Sequence, residues 1–107
     1  MKKKWRDIKN QVFGKNYDLS AVFIENARMK ELNRRYRKKE IAANVLSFNL
    51  SEKEGEILIN KKFEKEKAHS DYLFLHSILH LKGFKHGKAM EKEEKILAKK
   101  FNIDFDF

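Results

Sequence analysis

With 107 residues the chain has room for a single hydrophobic core of modest size, and the absence of cysteine rules out disulfides while fitting a reducing compartment. The 25 lysines and arginines outnumber the 16 acids, giving a formal charge of +9 that suits a polyanionic partner but equally a surface kept soluble by mixed Lys/Glu. The basic start Met1 to Trp5 continues into Arg6, Asp7 and Lys9 where a signal peptide needs apolar residues, and runs such as Ala21 to Ile24 are too short to cross a bilayer, so a soluble cytosolic protein without membrane contact is expected.

Trp5, Ile8 and Val12 recur at helical spacing and predict a first helix ending near Gly14. Ser20 to Glu25 reads as a strand, and Asn26 suits the cap of a second helix with Met29, Leu32 and Tyr36 on its apolar face. Near its end, Asn33 to Lys39 gathers three arginines and a tyrosine in seven residues, either a binding surface for phosphate or a solvated helix end. Val45 to Leu50 and Gly55 to Asn60 are two further strands, close enough across Ser51 to Glu54 to pair as a hairpin and to share a sheet with the first. A short helix is expected from Asn60 or Lys61 through Phe63. Ser70 is the predicted cap of a helix over Asp71 to Lys82, and His69 before it reads as solvent-exposed. An amphipathic helix over Ala89 to Lys100 would turn Met90, Ile96, Leu97 and Phe101 inward, while Lys/Glu mixtures such as Glu91 to Lys95 read as solvated charge. The tail from Phe101 to Phe107 alternates like a strand and reads equally as a frayed or docked end.

The pattern that carries chemistry is His76-Ser-Ile-Leu-His80-Leu-Lys-Gly83-Phe-Lys-His86. Positions i and i+4 share a helix face roughly 5–6 Å apart, so His76 and His80 can direct ring nitrogens at one ion. Six residues further on, continued helix would carry His86 about 120° off that face and about 9 Å along the axis, so the helix must end first. Gly83 is placed to end it in a left-handed conformation and let the chain turn back. Tyr72 to Leu75, Ile78, Leu79 and Leu81 make the helix apolar nearly all round, so it is expected to be buried. Three histidines leave a coordination position open for substrate or water, which favours a hydrolytic site over a closed structural one. The spacing is that of the metzincin peptidases, but their general base, a glutamate after the first histidine, is replaced by Ser77.

Taken with the middle of the chain, these residues resemble the YbeY endoribonuclease family of rRNA maturation factors. Its His-Gly-x-Leu-His-Leu-x-Gly-Tyr-Asp-His signature is matched by His76 to His86, and its Leu-Asn-x-x-Tyr-Arg-x-Lys-Asp segment by Leu32 to Glu40. Asn44 to Phe48 is similar to its Asp/Asn-Val-Leu-Ser-Phe strand, and Gly55-Glu56-Ile57 to its Gly-Asp-Ile. The match runs from about Ala21 to Leu97. The elements themselves read as a single α+β domain over residues 1–107, with a small sheet of three or four strands, about five helices and a three-histidine metal site at the end of a buried helix, and the resemblance implies the same single domain with a mixed sheet. It also implies one zinc ion on His76, His80 and His86, with Arg37 and His76 in catalysis. The implied activity is single-strand-specific RNA cleavage in maturation of the 16S ribosomal RNA 3′ end and ribosome quality control, with the small ribosomal subunit as partner. Ser77, Phe84, Lys85 and Glu56 depart from the motifs, and Lys85 removes a carboxylate beside His86. The general base is left to a metal-activated water, to Glu56, or to the RNA's own 2′-hydroxyl. The competing readings are a zinc metallopeptidase-like hydrolase and a non-catalytic ribosome- or RNA-binding factor with a structural metal.

Overall fold

The computed structural model describes residues 1–104. In chain order the elements are α1 (Lys3–Phe13), β1 (Asp18–Ile24), α2 (Asn26–Arg37), β2 (Val45–Ser51), β3 (Glu54–Asn60), a 3-10 turn (Lys61–Phe63), α3 (Lys67–Lys82) and α4 (Lys88–Phe101). Among the described residues there are thus three strands and four α-helices, and the fifth expected helix is the single 3-10 turn. The sheet is mixed in the order β1-β3-β2. β2 and β3 form the expected antiparallel hairpin, and β1 joins β3 in parallel.

Alternation along the strands divides the core between the two faces of the sheet. Leu19, Ile57 and Ile59 face α1, α3 and α4, in one cluster with Trp5, Ile8, Phe74, Leu75, Ile78 and Leu97. Leu46 and Leu58 face the other way and bury Met29 and Leu32 of α2. Gly55 lies beneath Tyr17, where a Cβ would collide with the tyrosine hydroxyl, so its place at the head of β3 is a matter of close packing.

α3 is the central helix, touching the sheet, α1 and α4, and its apolar circumference follows from having neighbours on nearly every side. α1 is tied to it by a buried polar contact: Trp5 Nε1 donates to Asp71 Oδ1 at 2.7 Å, and the indole stacks on Phe74 at 4.6 Å. Lys4 reaches the other Asp71 oxygen at 3.4 Å.

Several local expectations are corrected by this packing. α3 begins at Lys67, one turn before the expected start, and Ser70 is buried in its first turn with Oγ donating to the Lys67 carbonyl. Asn26 makes no cap; its Oδ1 accepts from Nδ2 of the fully buried Asn60 at 2.8 Å, joining the start of α2 to the end of β3. Tyr36 and Ile96 are exposed instead of inward-facing. His69 is half-buried with its ring 4.4 Å from that of Phe63. At the end of α4 Asn102 takes a left-handed conformation and Ile103 docks into the core, so residues 102–104 are no strand; the rest of the expected tail strand lies outside the described residues.

Replacing Trp5 by Phe keeps most of the apolar area and removes the only indole donor to Asp71. A hydrogen bond to a buried charged group contributes about 1.5–3 kcal/mol. Urea unfolding followed by far-ultraviolet circular dichroism should show a loss of that size for Trp5→Phe.

Candidate metal centre and cleft

The three histidines of the motif come together. One ring nitrogen from each of His76, His80 and His86 can be chosen so that all three lie within 4.8 Å of one another, and the ring centroids are 4.6–5.1 Å apart. His69 is not in the group.

The helix end that makes this possible is a Schellman motif. Gly83 has φ +113°, its N–H bonds the His80 carbonyl at 3.0 Å, and the Phe84 N–H bonds the Leu79 carbonyl at 3.0 Å. No atom stands within 4 Å of a Cβ built on Gly83, so the demand for glycine there is one of backbone conformation, not of space. The turn brings the Phe84 carbonyl to 3.0 Å from His80 Nδ1 and reverses the chain toward His86.

His76 is oriented from α4. Its Nδ1 lies 3.3 Å from Oε1 of Glu94, a carboxylate only 6 % exposed. Glu94 also accepts from the hydroxyl of Tyr72, whose pKa is pushed up to about 12 by burial, by that hydrogen bond and by the nearby charge. With both Nδ1 protons held by these acceptors, the Nε2 atoms of His76 and His80 carry free lone pairs and face one another at 3.0 Å. Two lone pairs at that distance repel, and a shared cation satisfies both. Nitrogens bound at about 2.0–2.1 Å to one tetrahedral ion stand about 3.3 Å apart, close to what is found. The donor set fits a metal ion of the imidazole-binding class, with Glu94 and the Phe84 carbonyl as its outer support.

Glu94 is hidden in the sequence because Glu91 to Lys95 looks like solvated charge, and Tyr72 because it reads as one more apolar residue of α3. The usable signal was spacing: Met90, Glu94, Leu97 and Ala98 fall at i, i+4, i+7 and i+8 on the buried stripe of α4.

Beside the histidines lies an open cleft of about 800 Å³, bounded by the end of α2, residues 39–44, strand β2 and α3. Arg37 lines it together with Tyr36, Lys39, Ile41, Phe48 and the three histidines. Asn33, buried in α2 and itself at the cleft wall, holds this wall in place by donating from Nδ2 to the Ile41 carbonyl at 2.7 Å. Lys38 caps α2 in a left-handed conformation. Among the described residues no carboxylate lines the cleft. Glu56 is absent from its lining; it shares the α2 face of β3 with Leu58, whereas the histidine-bearing helix packs on the opposite face. Ser77 is buried at the cleft wall, and Lys85 is exposed.

Burial holds the His76 pKa below the usual 6.5, aided by His80 and His86 and opposed by Glu94. The folded state therefore takes up this proton less readily than the unfolded chain, and acid favours unfolding. Metal-free protein should keep the whole His76 contribution above about pH 6.5 and lose it as pH falls through the lowered value, seen as a declining urea midpoint between pH 7.5 and 5. Glu94→Gln should raise the metal dissociation constant about 10–100-fold in a competition titration with a chromophoric chelator, because outer-shell acceptors of metal-bound histidines carry effects of that size.

Comparison with known proteins gives the family. A family model described as Endoribonuclease YbeY matches residues 2–103. The chain is 36% identical over 103 residues to the endoribonuclease YbeY of Campylobacter jejuni, covering 80% of this chain and 76% of that protein. It is 37% identical over 117 residues to that of Nautilia profundicola, covering 94% and 82%. The solution structure of TM1509 from Thermotoga maritima shares the fold with a TM-score of 0.58 at 24% identity, over 92% of this chain and 76% of that one. A matching family model over nearly the whole chain, with relatives 36–37% identical over most of its length, places the protein in the endoribonuclease YbeY family.

Proposed function

We propose that this protein is a zinc-dependent endoribonuclease that cuts single-stranded ribosomal RNA, acting at the 3′ end of 16S rRNA and on the small ribosomal subunit in the cytoplasm. The observation that carries the chemistry is a cleft with cations and histidines on its walls and no carboxylate among its described lining residues. Such a lining suits a phosphodiester backbone and lacks the glutamate base that peptide hydrolysis at this ligand spacing employs. Family membership supports RNA as the substrate.

His76, His80 and His86 would hold the ion. When bound, zinc supplies Lewis acidity for the phosphoryl oxygen or lowers the pKa of a water molecule. Glu94 and the Phe84 carbonyl keep the Nδ1 protons in place, so that Nε2 stays available. Arg37 is exposed at the cleft wall and forms no ion pair among the described residues, which leaves its guanidinium ready to take two oxygens of the scissile phosphate and offset the charge that builds during displacement.

With Glu56 off the cleft, two nucleophiles remain. The RNA's own 2′-hydroxyl would attack phosphorus and expel the 5′-oxygen, giving a 2′,3′-cyclic phosphate; water would give a linear monophosphate. The +9 charge adds sequence-independent attraction to RNA that weakens with salt.

The experiment is cleavage of a single-stranded ribosomal RNA fragment by the wild type, His80→Ala and Arg37→Ala, with bound metal quantified and product ends mapped. His80→Ala should lose metal and cleavage together. Arg37→Ala should keep its metal and lose about 100-fold or more in kcat/KM, the scale of removing one charge-stabilising donor. Wild-type protein that carries metal and binds RNA without cutting it would replace the nuclease by a metal-bearing binding factor.

A further inference from the structure

We propose that Tyr36 is a stacking platform for an unpaired base of the substrate, and that this ring makes the cleft select single strands; the inference rests on the RNA reading above and adds the residue that would enforce strandedness. Tyr36 sits on the last turn of α2, an ordered helix whose apolar side otherwise packs Met29 and Leu32 against the sheet. Its spacing from Leu32 would put it in that core, yet the side chain is 59 % exposed and lines the cleft. Phe48 on β2 meets it edge-on, with ring centroids 5.5 Å apart and planes at 70°. The contact steadies the ring and leaves most of its area uncovered, so little side-chain entropy is lost when a planar group lands on it.

The surroundings select the occupant. Arg37 and Lys39 line the same wall, Arg34, Arg35 and Lys38 are exposed beside them, and no described acidic side chain opposes them inside the cleft. Ile41, 69 % exposed, adds a second apolar surface to the lining. A ring set among cations suits a chain that alternates flat bases with phosphates. In a duplex each base face is already covered by its neighbours, so an aromatic side chain favours only a base that has left the stack. Every base has such a face, so the platform would discriminate strandedness and not sequence. The phosphate beside the stacked base would then lie toward Arg37 and the histidines that share the wall.

The test is the affinity of the purified, metal-loaded protein for a fluorescently labelled 2′-O-methyl single-stranded oligonucleotide, read by anisotropy at fixed salt. A second oligonucleotide of equal charge carries abasic riboses. Wild type and Tyr36→Phe should bind the intact strand alike, and both should bind the abasic strand more weakly. Tyr36→Ala and Tyr36→Leu should bind the intact strand about 5- to 150-fold more weakly than wild type, the range for one base–aromatic stack. On the abasic strand all four proteins should bind alike, an equality that general damage to the fold would not produce. Leucine keeps apolar bulk at the exposed site, and unchanged thermal melting of that variant guards against loss of folding. The platform is overturned if Tyr36→Leu binds the intact strand as wild type does, or if the Tyr36 variants lose equally on both strands. Wild-type protein that neither binds nor cuts single-stranded RNA would overturn the RNA reading as well; wild type that does both while ignoring Tyr36 substitutions would overturn the platform alone.

Discussion

The left-handed turn at Gly83 is the constraint on which the site depends. α3 runs largely buried to Lys82, and two histidines one turn apart on such a helix can share an ion, but a third six residues further on cannot join them from the same face. The Schellman bonds from Gly83 and Phe84 to the carbonyls of His80 and Leu79 end the helix. They also set the Phe84 carbonyl against His80 Nδ1 and send the chain back to His86. One backbone reversal therefore terminates an element, gives His80 Nδ1 a carbonyl partner and brings the third histidine to the cluster. A side chain at this position would hold a φ of +113° at a cost of about 1–3 kcal/mol, taken from the geometry that positions His86.

Charge is separated across the histidines. On the cleft side the described lining contains arginine and lysine and no acid. On the α4 side, outside that lining, Glu94 is buried beside His76 and Tyr72 and accepts from both. A carboxylate in the cleft would repel phosphate, whereas the same group behind the imidazole supports its ring orientation and strengthens it as a donor to a cation.

Two buried asparagines give the opposite wall its shape. Asn33 fastens the segment after α2 by its bond to the Ile41 carbonyl, and Asn60 joins β3 to Asn26 and to the Ala43 and Asn44 backbone. These bonds tie the end of α2 to residue 41 and the end of β3 to the start of α2 and to residues 43–44. Buried amides that bond to loop carbonyls hold irregular backbone where no ladder can.

Local pattern determined much of this protein. Helical spacing gave α1, the apolar circumference gave the burial of α3, alternation and a short turn gave the β2–β3 hairpin, and the spacing of His76, His80, Gly83 and His86 gave the histidine cluster, because each signal lies within a short continuous stretch. Tertiary structure decided what depends on contacts distant in sequence. Glu94 looked like one more solvated charge until α4 packed it against His76, eighteen residues away. Strand parity puts Glu56 with Leu58 on the α2 face, away from the histidine-bearing helix. Tyr36 followed the apolar stripe of α2 but stays exposed, because the wall formed by residues 39–44 and β2 leaves a cleft there instead of closing over it. Periodicity tells which residues share a face; which faces meet, and which are left open to a ligand, is settled only when the elements pack.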